Sequence, residues 1–402
     1  MKAGHDVVIV GGGLVGASLA IALDRLGLDV GLVEATPPGS LPAVFDERNL
    51  SFADATVNAL DALGVMSKLH APIGAITRIH VSRRGDFGRA SLVAADYGRE
   101  AFGRVVVARD FGQALEARLG ELSHLTRYRP ARFVGLGEGD AEARIVRISD
   151  DDGERDLRTR LLVAADGTRS GVRAALGIEA DSHDYLQTLF VARLRAARAP
   201  DGTAYERLGD HGPTALLPRG DRHFGLVHGV ARDEADAVQG LDDAAFLERV
   251  QHAFGWRVGR FLSVGARSVY PAIGTVARQT IAPRAVLVGN AAQTLHPIGA
   301  QGFNLGLRDA LTLAELIETG GGDPGTPGLL ADHARRREED RGRTLAMSDG
   351  LARLTANDAP LLRPLRSLGL FALDRVPSAQ SLLVGGAMGY RGEVPALCRK
   401  AS

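Results

Sequence analysis

"HDVVIVGGGLVGASLAIALDRLGLDVGLVEA", residues 5–35, is the stretch that decides the fold. A β-branched run, Val7 to Val10, leads into Gly11, Gly13 and Gly16 in G-x-G-x-x-G spacing. Leu19, Leu23 and Leu26 then recur at i, i+4 and i+7, the pattern of one helix face. A second apolar run, Val30 to Val33, ends at Glu34. Strand, glycine turn, helix, strand and acid in this order make the unit that binds a dinucleotide. Gly11 permits the tight turn, Gly13 lets a pyrophosphate approach the backbone, and Gly16 lets the helix lie close to the strand. The helix start, at Leu14 and Val15, offers unpaired amides and a positive dipole end. Glu34 is placed to accept the ribose hydroxyls.

The rest of the composition is that of an ordinary globular chain. It has 402 residues, 45% of them apolar, and a formal net charge of +0, so nothing basic points to nucleic acid. Cys398 is the single cysteine, which excludes an internal disulfide, and no metal-binding signature such as His-Glu-x-x-His occurs. No uncharged run reaches the ~18 apolar residues of a membrane span. The N-terminus imitates a signal peptide, but Asp6 and the triple glycine interrupt it.

A second strand–loop–helix unit distinguishes the dinucleotides. "VGNAAQTLHPIGAQGFNLGLRDA", residues 288–310, follows an apolar strand and runs into a helix with Leu307, Leu311 and Ala314 on one stripe. An NAD dehydrogenase has no general need of such a distant unit; FAD has, because its isoalloxazine lies far from its adenine. The helix start near Gly302, Phe303 and Asn304 would point amides at the flavin pyrimidine ring and favour the charge of the reduced form. Gly289 and Asn290 would meet the ribityl chain, and Pro297 would stiffen the loop at the ring. A third element, "RTRLLVAADGTRSGVRAALGI" (158–178), runs from a strand into Asp166 and Gly167, with Ser170 and Arg173 behind them.

These three motifs, in this order, resemble the group A flavoprotein aromatic hydroxylases, whose fold is that of para-hydroxybenzoate hydroxylase. Asn290 stands where most of that family has Asp. The sequence around it is similar to the hydroxylases of 2-polyprenyl-6-methoxyphenol in ubiquinone biosynthesis, which would carry Ala-Gly at Gly299-Ala300. The resemblance covers nearly the whole chain and implies an α/β (α+β mixed) fold. An FAD-binding domain (1–73, 103–178 and 270–340) would interleave with a β-sheet substrate domain (74–102 and 179–269). A C-terminal helical segment (341–402) would be broken at Pro360, Pro364 and Pro377. The run "ARRREEDRGR" (334–343) reads as a solvated helix face. Arg48, in "FDERNLSFADATVNALDALGV" (45–65), falls on the position that contacts the FAD pyrophosphate. Arg109 and Gln113 reach the FAD or form a surface pair.

The activity implied is an external monooxygenase. NADPH or NADH reduces FAD, O2 adds to give a flavin C4a-hydroperoxide, and one oxygen passes to an electron-rich phenol. His296, beside the flavin loop, either draws off the phenol proton or is a structural histidine bonded to backbone. Tyr205, Leu216, Pro218 and Phe224 are the candidate substrate contacts on sheet strands, with core packing as the alternative for each; Trp256 reads as structural, its ring half-buried. The substrate would be a lipophilic phenol, the location cytoplasmic and peripheral at the inner membrane face, with a ubiquinone-biosynthesis complex as a possible partner. A hydroxylase of a small soluble phenol and a non-catalytic flavin-binding component remain as alternatives. The lone Trp256 excludes the Trp-x-Trp-x-x-Pro pattern of halogenases.

Overall fold

The computed structural model describes residues 4–355, 362–376, 380 and 384–400. Its central sheet grows from the longest apolar runs. Val7–Val10, Val30–Val33 and Leu161–Ala164 are buried at every position, as strands covered on both faces must be. β1 (His5–Val10) lies between β2 (Val30–Val33) and β11 (Gly153–Ala164), parallel to both. β8 (Leu125–Tyr128) extends the sheet past β2, and β19 (Ala285–Leu287) past β11, again in parallel. β18 (Ile281–Ala282) closes that edge, and β9 (Arg132–Gly137) and β10 (Arg144–Asp150) add an antiparallel extension along β11.

The second sheet has nine strands. β5 (Arg78–Arg83) and β6 (Arg89–Val93) form one edge. β13 (Thr203–Gly209), β14 (Gly212–Pro218), β15 (Phe224–Ala231), β12 (Ala180–Ala196) and β17 (Ser268–Ala277) follow in that spatial order, with β16 (Phe261–Val264) on β12 and β20 (Gln293–Thr294) on β17. A small third sheet places β7 (Gly103–Val107) between β3 (Asn49–Ala53) and β4 (Gly74–Ile76).

Helices fill the remaining faces. α1 (Leu14–Asp24) packs against α3 (Ala108–Leu119) and α7 (Gly302–Gly320). All its residues from Gly16 to Leu23 are buried. A single stripe of Leu19, Leu23 and Leu26 is therefore too narrow a description, and Leu26 lies beyond the helix end; an enclosed helix is apolar all round. α2 (Asp54–Ala62) follows β3, and the short α4 (Gly171–Ala175) follows the Asp-Gly turn. The short α5 (Ala235–Gln239) and α6 (Asp243–Phe254) follow β15, and α6 covers one face of the nine-stranded sheet through Phe246, Val250 and Phe254. α8 (Pro327–Thr355) packs on α7, and α9 (Leu362–Arg375) on β6.

Several elements depart from the sequence expectations. β17 runs through residue 270, β4 pairs with β7 rather than with the nine-stranded sheet, and α8 runs through residue 341, so these elements cross the drawn boundaries. Pro364 sits in the first turn of α9, where an amide has no intrahelical acceptor, and so does not break it. Pro360 and Pro377 lie outside the described residues. The 334–343 run is not simply solvated, since Arg337 and Asp340 are buried against α7. Trp256 is 69% exposed rather than half-buried.

Candidate active site

The three motifs are knitted together by contacts that only glycine allows. Gly11 has φ +108°, and a Cβ there would stand 2.4 Å from the Ala165 carbonyl oxygen. A Cβ on Gly16 would lie 1.9 Å from the Gly11 carbonyl oxygen. Val15 packs against Gly289 and Gly306, which touch each other closely. Arg173 donates to the Ala291 carbonyl at 2.8 Å and to that of Thr168 at 2.9 Å, tying the Asp-Gly loop to the Gly289-Asn290 turn. Asp166 accepts from Ser170 Oγ (2.5 Å) and from the Val172 amide (3.1 Å), which shapes Gly167's turn at φ +85°.

The residues fit FAD on their own geometry. α1 starts at Gly13 with no side-chain cap and no acidic residue in its first turn, and a Cβ on Gly13 would meet only Val44, at 3.7 Å. α7 starts in the same way, and a Cβ on Gly302 or Gly299 would meet nothing within 4 Å. Two uncapped helix starts beside open glycines suit an anion at one and an electron-rich ring at the other. Glu34, at the end of β2, accepts from the Gly12 amide (2.9 Å) and the Thr36 amide (2.7 Å), so its position is fixed and each oxygen keeps a lone pair for a ribose hydroxyl. Asn290 is exposed.

Arg48 is held by groups the sequence did not single out. It pairs with Asp46 through two bonds of 2.8 Å, and its guanidinium lies over the Tyr270 ring at 4.3 Å. Tyr270 Oη donates to Asp46. Burial works to raise the Asp46 carboxyl, but the bonds from Arg48 and Tyr270 bring it below its ordinary value. Arg109 pairs with Glu47, and Gln113, one turn along α3, is exposed.

Four calls move. Phe303 packs its ring against Phe52 and Phe111 at 5.5 and 5.4 Å. Asn304 accepts from the Ala53 amide and Thr56 Oγ1 and donates to the Ser51 and Ala300 carbonyls. Both side chains fasten α7 to β3, leaving the backbone of the helix start to meet a ligand. His296 is buried, its Nδ1 accepts from the Ile298 amide (3.2 Å), and its Nε2 donates to Gln187 Oε1 (3.0 Å). Burial pushes it down to about 4, which favours the neutral ring, and both ring nitrogens are engaged within the protein. Pro297 is exposed at the head of that loop. Tyr205, Leu216, Pro218 and Phe224 share one sheet face by register. Tyr205, Leu216 and Phe224 there join the core under α6, so the residues one position along face the other way.

That other face meets the cofactor side. Asn49, next to Arg48, lies across Gly225, and Leu217 packs with Ile76 and Val105 of the third sheet. In the ring-side loop, Gly299 has φ +71° and Ala300 φ +50°. A side chain at the second position is strained, so Ala300→Gly is expected to stabilise the protein by about 0.5–1 kcal/mol. A rise in the urea midpoint measures this; an unchanged or lower midpoint would refute it.

The FAD binding domain family model matches residues 4–343. The chain belongs to that family. It is 34% identical over 388 residues to the ubiquinone hydroxylase UbiL of Rhodospirillum rubrum, covering 96% of this chain and 89% of that one. It is 28% identical to the 3-demethoxyubiquinol 3-hydroxylase of Escherichia coli, over 92% and 95% of the two chains. The solved p-nitrophenol 4-monooxygenase PnpA of Pseudomonas putida superposes with a TM-score of 0.78 at 17% identity, over 98% and 100%. The para-hydroxybenzoate-hydroxylase-like fold and the flavoprotein hydroxylase family read from the three motifs are thus borne out.

Proposed function

We propose that this family member is an FAD-dependent monooxygenase that takes electrons from NADPH or NADH and hydroxylates the ring of a polyprenyl phenol in ubiquinone biosynthesis with O2. The observation that carries it is the pair of uncapped helix starts at Gly13 and Gly302, joined through Val15, Gly289 and Gly306. Similarity to hydroxylases named for ubiquinone supports the substrate class. Bound FAD supplies oxygen activation and transfer. The chain's own groups do the rest: α1 amides and Arg48 hold the pyrophosphate, Glu34 the ribose, and the α7 start favours negative charge on the ring. His296, neutral, keeps the Ile298 amide and the loop in place.

No helix among the described residues is long and apolar enough to cross a membrane. A lipid-borne phenol would be met from the surface, and α9 with its following residue exposes Leu368, Phe371 and Val376 for that contact at the inner membrane face. Mass spectrometry of the quinone pool in an aerobic deletion strain tests the function. The expected result is a polyprenyl phenol lacking one ring oxygen, cleared by the wild-type gene. An unchanged pool, with no redundant enzyme present, would overturn the substrate assignment.

A further inference from the structure

Register places Glu206 on the cofactor-side face of the nine-stranded sheet. It pairs with Val81 of β5 and Ala215 of β14, and its strand neighbours on the same face are Ala204 and Leu208. Ala204 belongs to the apolar cluster of Ile79, Leu92, Leu217 and Phe102 that joins this face to the third sheet. Glu206 is surrounded by protein and yet keeps some accessible surface. No hydrogen bond or ion pair reaches it from the described residues, and burial alone pushes its carboxyl up to about 7.

The charged groups around it are already engaged. Arg83, two residues along β5 from Val81, is held by Asp86 and Asp210. Asp374 of α9 accepts the Ser91 amide, Tyr97 bonds Gln380, and Tyr390 bonds Asp54. β14 brings only Pro213, Ala215 and Leu217 to this face, β6 only Ala90 and Leu92, and Arg104 of β7 bonds the Gly103 carbonyl. His80, Arg207 and Tyr205 are on the opposite face. A carboxyl without a partner among the described residues, in apolar surroundings, is costly, and such groups mark functional sites.

We propose that Glu206 contacts the phenolic hydroxyl of the substrate and accepts its proton. The proposal rests on the hydroxylase reading above. In the step, the phenol O–H bond breaks, the proton passes to a Glu206 carboxylate oxygen, and the electron pair remains on the phenolate oxygen. The ring becomes more electron-rich and so more reactive toward an electrophilic oxygen, and nothing is oxidised in the transfer itself.

The test uses the FAD-loaded enzyme, with a 6-methoxyphenol bearing a short prenyl chain as probe and hydroxylated product as readout. Wild-type turnover should rise with pH through about 7 as Glu206 ionises. Glu206→Gln should lose that rise and fall roughly 100-fold in kcat, with FAD content unchanged. A ring-fluorinated probe that ionises more readily and keeps its target carbon free should recover part of the lost rate, which a merely structural role would not produce. Glu206→Leu removes a buried unpaired carboxyl, so it should fold at least as stably as wild type while losing turnover. Retention of the wild-type pH profile by Glu206→Gln would overturn the proposal, as would losses that track FAD content. If wild type turns over no phenol at all, the hydroxylase reading itself fails, and that outcome is distinct from a wild type that works with Glu206 irrelevant.

Discussion

Gly13→Val is expected to give a folded, colourless protein. The backbone at Gly13 has φ −73°, which any L-residue adopts, and the nearest atom to a Cβ there is 3.7 Å away. The chain therefore has room for the side chain, at a cost of about 1 kcal/mol for an apolar N-cap. The methyl groups would instead fill the space in front of the uncapped α1 amides, where a pyrophosphate must come close to the backbone. FAD affinity should fall on the order of 100-fold, equivalent to about 2.7 kcal/mol. Gly16→Ala is the control of opposite kind, because its Cβ would lie 1.9 Å from the Gly11 carbonyl oxygen and 3.1 Å from Ala165 Cβ. That variant should fail by unfolding rather than by losing flavin alone. Fluorescence titration of apoprotein with FAD, beside a denaturation curve, separates the two. A yellow Gly13→Val protein of wild-type affinity would sink the assignment of this turn to the cofactor.

The difference between those glycines explains what the sequence makes legible. G-x-G-x-x-G spacing encodes backbone geometry, so the spacing alone gives Gly11, Gly13 and Gly16 their roles. Asp166 and Arg173 were legible for the same reason, being local to a strand end. What stayed hidden was tertiary. Tyr205 and Glu206 are adjacent, and nothing in β13 alone says which faces α6 and which the third sheet; a one-residue change of parity exchanges them. Phe303 and Asn304 sit at the right helix start, but β3 and α2, some 250 residues earlier in the chain, capture their side chains. The 334–343 run hid its buried side because Arg337 and Asp340, at i and i+3, are charged like their solvated neighbours. Their partners, Arg308 and Asp309, are charged as well, so residue type alone does not mark them as buried.

That buried cluster sets the second large effect. Asp340 accepts from Arg308 Nε at 2.6 Å, from Arg337 Nη2 at 2.6 Å and from Thr344 Oγ1 at 3.3 Å. Arg337 also donates to Asp309 at 2.8 Å, and the side chains of Arg308 and Asp340 are both 0% exposed. Asp340→Ala would leave Arg308 without a carboxylate and Arg337 with only Asp309, at an expected cost of about 3–5 kcal/mol. Burial works to raise the Asp340 carboxyl, but Arg308 and Arg337 together hold it below its ordinary 3.8. Its ionised form is thus favoured by folding. The contribution is complete above the unfolded value of 3.8 and is lost as pH falls through the lower folded value. Wild type should therefore lose stability below about pH 4 with a steeper slope than Asp340→Ala. Replacing Arg308 and Asp340 together by apolar residues of similar volume, which leaves Arg337 paired with Asp309, should recover much of the loss, because the cost lies in unpaired charge rather than in the absence of the pair. The cluster fastens α8 to α7, whose first turn lies at the ring end of the proposed site, so Asp340→Ala should also release FAD faster at neutral pH. Urea midpoints at pH 7 and pH 3.5, with flavin release followed in parallel, test both parts. An unfolding free energy within about 1 kcal/mol of wild type at pH 7 would mean that solvent reaches these guanidiniums, and that α8 is held by its apolar contacts alone.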